Sequence, residues 1–168
     1  MPSDRRAVDA LRRLEAAGLS LATAESLTGG QLASVVTAVP GASRAYVGGV
    51  VAYAPSVKRD VLGVPAGLIE EHGVVSAACA RAMAAGARTV TGASYAVSTT
   101  GVAGPDPSEG HPVGTVFVAV DGPGGTTVLP LLLPGDRATV QQQTCDAALD
   151  ALSDRLAADL PEEETARG

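Results

Sequence analysis

GLSLATAESLTGGQLASVVTAVPG, residues 18–41, passes from a strand pattern to a helical one within a single turn. Residues 19–24 form a short apolar run that reads as a strand. Residues 29–39 carry apolar side chains at helical spacing until Pro40-Gly41 stops them. Between the two, TAESLTGG (23–30) collects hydroxyls and paired glycines. A strand feeding a helix through a glycine-rich turn is the building unit of a layered α/β fold, and the loop after such a strand is where those folds bind ligands.

The segments on either side continue the alternation. Residues 3–17 place Val8, Leu11 and Leu14 on one helical face and end at Gly18. A second strand is expected over 46–52, and Pro55 then opens a short helix carrying Lys58, since proline suits a first helical turn. Ser76 is a natural N-cap for a helix with Cys79, Met83, Ala87 and Val90 on one side. A strand over 95–100 runs into GVAGP. VGTVFVAV (113–120) and TTVLPLLL (126–133) flank DGPGG as two antiparallel strands. A last helix starts near Asp136, with Val140, Thr144, Ala148, Leu152 and Leu156 four apart. The expected fold is a three-layer α/β/α sandwich with a mixed, mostly parallel sheet including one antiparallel hairpin. One domain is expected over 1–160, followed by a polar tail over 161–168.

Composition removes several function classes. The 168 residues carry a net charge of −6, with three tyrosines, one phenylalanine and no tryptophan. There is no basic stripe to neutralise phosphates and no aromatic platform for bases, so no nucleic-acid partner is expected. No run approaches the ~20 apolar residues of a membrane span, so no membrane partner is expected either. The N-terminal arginines are interrupted by Asp9 and Glu15, unlike a signal peptide, and a cytoplasmic location is expected. Two distant cysteines and two histidines form no ligand cluster, so neither metal nor cofactor is called for.

Lys58 is the only lysine; the other eleven basic residues are arginine. Arginine cannot give up its proton in a protein, whereas a buried lysine can be tuned into a base. Working near neutrality would require its pKa to fall by about 3 units, roughly 4 kcal/mol of destabilised ammonium. In a chain this rich in arginine, Lys58→Arg is expected to melt normally yet lose the base.

Three loops could hold the chemistry. TAESLTGG could offer backbone N–H groups to an anion at a helix N-terminus, although it matches neither the dinucleotide nor the P-loop pattern. PGASRAY (40–46) has a serine between small residues, but a helix precedes it and a strand follows, the reverse of a nucleophile elbow. STTGVAGPDPSEGHP (98–112) is a long loop of the kind that walls pockets.

TAESLTGG, PGAS, YAPSVK, LGV, HGVVS, STTGVAGP, PVGTVFVAV and PGDR occur here in the order seen in the C-terminal domain of CinA-type proteins. The chain resembles that family over roughly residues 5–158. Its standalone members include nicotinamide-nucleotide amidohydrolases (PncC-type). Leu27 stands where the family usually has cysteine, and the nucleotide-processing domain of longer CinA proteins has no counterpart in this sequence. The resemblance implies metal-independent hydrolysis of the carboxamide of nicotinamide mononucleotide, giving nicotinate mononucleotide and ammonia by a serine-lysine mechanism. It assigns Ser43 as nucleophile, with Tyr53 and Lys58 as activating partners. It matches Ser26 and Thr100 to hydroxyls lining the site and Arg137 to a basic residue near the substrate; together with Thr28, Gly29, Gly30 and Gly101 of the flanking loops, these are expected to bind substrate.

The residue chemistry leaves alternatives open. Ser26 is a rival nucleophile. Ser56 is a weaker one, because residues two apart on a helix do not face each other. His111 is the other candidate base, and Arg137 is either a phosphate clamp or a solvated charge. A nucleotide-binding or interaction module that turns nothing over, or a hydrolase of another small amide, would keep the same pocket. The sequence leaves the oligomeric state open, a homo-oligomer included.

Overall fold

The computed structural model describes residues 4–161. The expected tail beyond Pro161 and the first residue of the expected N-terminal helix lie outside the described residues. Helix α1, Arg5–Ala16, is capped by Asp4, which accepts from the Arg6 amide. The chain continues through β1 (Leu21–Glu25), α2 (Gln31–Thr37), a 3-10 turn (Ala42–Arg44), β2 (Tyr46–Val51), α3 (Pro55–Asp60), α4 (Ala66–His72) and α5 (Ala77–Thr91). Then come β3 (Tyr95–Gly101), β4 (Thr115–Gly122), β5 (Gly125–Leu132) and α6 (Arg137–Asp159).

The strand order is β2-β1-β3-β4-β5. β1 pairs with β2 and with β3 in parallel, whereas β3–β4 and β4–β5 are antiparallel. The sheet is thus evenly mixed rather than mostly parallel, because the chain returns from β3 through the 102–114 loop instead of a crossover helix. β1 is an interior strand, between β2 and β3, and all five of its residues are buried. Its odd positions face a core built with Leu14 of α1, Leu32 of α2 and Leu152 of α6. Ala22 and Ala24 face Cys79, Met83 and Ala87 of α5 on the other side, giving three layers.

Two local details depart from the sequence reading. α2 starts at Gln31, two residues late, because Gly29 and Gly30 take φ of 57° and 102°, outside the helical region. Helix α4 was not expected: AGLIEEH buries none of its residues fully and shows too short an apolar face to stand out.

The small residues of α5 let it lie against the turn after α3. A Cβ on Gly86 would collide with the Leu62 carbonyl. Gly86→Ala gains up to ~1 kcal/mol of helix propensity. The clash with rigid backbone should outweigh it, leaving a net loss of about 1–2 kcal/mol in urea unfolding. An unchanged or raised midpoint would mean that α5 moves away without penalty.

Candidate active site

All the loops at the carboxyl ends of β1, β2 and β3 open on one edge of the sheet. The connection from β1 leads to one neighbour, and the crossover from β2 passes to the other side to enter β3. Ligands of α/β sheets sit at such a switch point. β4 starts at this edge and β5 ends there, so the 102–114 loop and the first turn of α6 close the cleft from above.

At the floor stands Lys58. Proline at the first helical position and Ala54 in an extended conformation start α3 so that Lys58 is the helix's one buried residue, 1% exposed. Its Nζ lies 2.9 Å from Ser26 Oγ, 2.7 Å from the Ala52 carbonyl and 3.3 Å from the Tyr53 carbonyl. All three partners are uncharged. Burial pushes the Lys58 pKa below that of free lysine, partly opposed by Cys79 and Glu109. As an ammonium it donates to all three groups. As a neutral amine it donates to the two carbonyls and turns its lone pair to the Ser26 hydroxyl, the arrangement a general base requires. The same burial pushes the Cys79 thiol up to about 11, so the neighbouring sulfur is no competing nucleophile near neutrality.

Ser26 is the first residue beyond β1. Its amide donates to the Thr99 carbonyl of β3 at 3.0 Å. The next amide, Leu27, has no acceptor among the described residues. Glu25, immediately before, is buried and accepts from the Leu32 amide at 2.8 Å and the Ala33 amide at 3.1 Å. The N-terminus of α2, expected to receive a ligand anion, is therefore filled by the chain's own carboxylate. Thr28 is buried with its hydroxyl 2.8 Å from that of Thr99. Thr28, Gly29 and Gly30 shape the loop without lining the cleft.

Ser43 is not where the sequence reading needs it. It lies exposed in the 3-10 turn before β2, among Thr37, Gly41 and Tyr46. Lys58 follows the far end of β2, so roughly 17 Å of strand separates the two at 3.3 Å per residue. Within one chain the lysine meets Ser26 instead, a residue 32 positions away that no spacing rule connects to it.

Tyr53, Thr100, Gly101 and Arg137 do reach the cleft. Tyr53 meets Lys58 through its carbonyl, and the residue is 62% exposed. Arg137, at the start of α6, donates to the Tyr53 hydroxyl at 3.1 Å and to the Gly104 carbonyl at 2.6 Å, spanning the mouth. Thr100 donates to the Val74 carbonyl at 2.6 Å. Val74, Val75 and Asp106 also line the cleft and were not singled out from the sequence. His111 pairs through its backbone with Ser108 and does not line it. Among the described residues no three His, Cys, Asp or Glu side chains gather to hold a metal, and no helix is long and apolar enough to cross a membrane.

A family profile, the CinA C-terminal domain, matches residues 4–156. A CinA-like protein of Frankia casuarinae is 50% identical over 145 residues, covering 86% of this chain and 33% of the relative. One from an Anaeromyxobacter species is also 50% identical, over 83% of this chain and 34% of its own length. The chain thus spans about a third of these curated relatives. Among solved structures, competence damage-inducible protein A of Klebsiella pneumoniae superposes with a TM-score of 0.88 at 38% identity, covering 90% of this chain and 95% of that one. The competence/damage inducible protein CihA of Agrobacterium tumefaciens gives 0.82 at 33% identity, over 90% and 96%.

Proposed function

Because the chain belongs to the CinA C-terminal domain family, we propose that it hydrolyses the carboxamide of nicotinamide mononucleotide with Ser26 as nucleophile and Lys58 as base. The observation that carries this reading is the buried amine 2.9 Å from a hydroxyl at the floor of an open cleft. A serine needs a neighbouring base to attack an amide, and a lysine kept from water can be neutral enough to serve.

In the proposed sequence, Ser26 Oγ attacks the carboxamide carbon as its proton passes to Lys58 Nζ. The carbonyl oxygen becomes an oxyanion, for which the Leu27 amide is the adjacent donor. Lys58 then protonates the leaving nitrogen, the C–N bond breaks, and ammonia departs from an acyl-Ser26 ester. Water attacks that ester with Lys58 again taking a proton. The tetrahedral species collapses to nicotinate mononucleotide, and the proton returns to Ser26.

Arg137 supplies the charge for the other end of the substrate. Its guanidinium is the cationic group at the mouth, and the filled α2 terminus leaves it as the candidate for the phosphate. One charge-assisted contact is worth about 1.5–3 kcal/mol. Arg137→Ala should therefore lower kcat/KM on the mononucleotide by ten- to a hundredfold, with little effect on the riboside. Equal losses on both substrates would assign Arg137 to the architecture of the mouth. Ammonia release across nicotinamide, its riboside, its mononucleotide and NAD tests the substrate. No release from any of them favours the binding-module reading.

A further inference from the structure

Glu109, in the loop between β3 and β4, is the only non-glycine residue with positive φ among the described residues, at 51°. Such a backbone is held only where the surroundings over-determine it. A turn closed by reciprocal Ser108 and His111 backbone hydrogen bonds holds it, and its side chain reaches the connection between α4 and α5. There the carboxylate accepts from the Val75 amide at 2.8 Å and from the Val74 amide at 3.1 Å, one oxygen each. Gly73 precedes them, and a Cβ there would run into the carboxylate. Thr100 fastens the same segment from the other side through the Val74 carbonyl.

Val74 and Val75 line the cleft that holds Ser26 and Lys58. We propose that Glu109 is a positioning residue of this site, its carboxylate tying the β3–β4 loop to the Val74–Val75 wall so that the cleft stays formed. Both oxygens are needed. Glutamine of the same length would set an NH2 against one of the two amides, donor against donor. The negative charge also bears on the site, since it favours the Lys58 ammonium. The groups around that amine are Ser26 beyond β1, the Ala52 and Tyr53 carbonyls beyond β2, Cys79 on α5 and Glu109 from the loop. Asp106 and Arg137 line the same cleft.

The fastening stands on geometry alone, whereas its consequence for turnover rests on the amidase reading, so the test has readouts of both kinds. In Glu109→Gln and Glu109→Ala, hydrogen exchange at the Val74 and Val75 amides should quicken by about tenfold or more, while β1 and β3 amides keep their rates. Lysine labelled at Cε gives one signal, because Lys58 is the only lysine. Its titration midpoint should move to lower pH in both variants. With nicotinamide mononucleotide as substrate, KM should rise about three- to tenfold with a smaller change in kcat. Unchanged Val74 and Val75 exchange in both variants would overturn the proposal. So would exchange quickened evenly through the molecule, which would make Glu109 a general stabiliser. If the unaltered protein releases no ammonia, the amidase reading falls; selective exchange together with the Lys58 shift would still establish the positioning role.

Discussion

Replacing Lys58 by methionine is expected to leave a folded protein whose kcat falls at least about a hundredfold, the lower end for loss of a positioned base. Methionine keeps an unbranched apolar stem of nearly the same length in a site that is 1% exposed, with sulfur in place of one methylene, and removes the amine. Arginine, which from the sequence alone was expected to cost activity but not stability, becomes the harsher choice. It would bury a larger group that cannot shed its charge against two carbonyls and a hydroxyl. The pH dependence gives a second readout. Burial lowers the Lys58 pKa, and in the proposed mechanism the neutral amine is the active form, so activity should rise with pH through an ionisation below that of free lysine. Stability follows the same sign. Between the folded and unfolded pKa values the unfolded chain holds the extra proton, so stability should increase as pH rises through that window. Lys58→Met should abolish that part of the slope. Undiminished turnover in Lys58→Met would remove the lysine from the chemistry.

Ser26→Ala is expected to have the larger effect, a loss of about ten-thousandfold or more, because without the hydroxyl no acyl-enzyme forms. Binding of nicotinamide mononucleotide should survive, since the Leu27 amide, Thr100 and Arg137 remain. Ser43→Ala should stay within about twofold of the unaltered rate, in the range of ordinary surface substitutions. Rapid quenching and peptide mapping would locate the trapped acyl group on the peptide bearing Ser26. An acyl group on Ser43, or an active Ser26→Ala, would reverse the assignment.

Local pattern carried the fold a long way. The first strand, expected over 19–24 and found at Leu21–Glu25, the proline-opened helix of Lys58, the Ser76 cap and the α6 stripe spaced four residues apart all depend on near neighbours in sequence, and these elements appear close to where they were expected. α4 escaped because its amphipathic face is too short to register. The direction of β4 relative to β3 is a tertiary outcome that no local period encodes. The site was legible in its parts and not in its pairing. Lys58 stood out by its uniqueness, yet its partner could not be chosen between two serines until the sheet placed one at each end of β2. Glu25 and Glu109 read as ordinary acidic loop positions, because their partners are backbone amides that carry no sequence signature.

Ser26 is mounted on a stiff joint. On one side Glu25 is bolted to the first turn of α2, and on the other the Ser26 amide is fixed to β3. With both ends held, the joint works as a lever: a tilt of α2 against the sheet becomes a displacement of the hydroxyl that Lys58 must reach. Substitutions that reseat α2, even at Val36 on its buried face and away from the cleft, should accordingly be felt in kcat before KM. On the proposed reading, the rate would then drift through the packing of a helix outside the cleft.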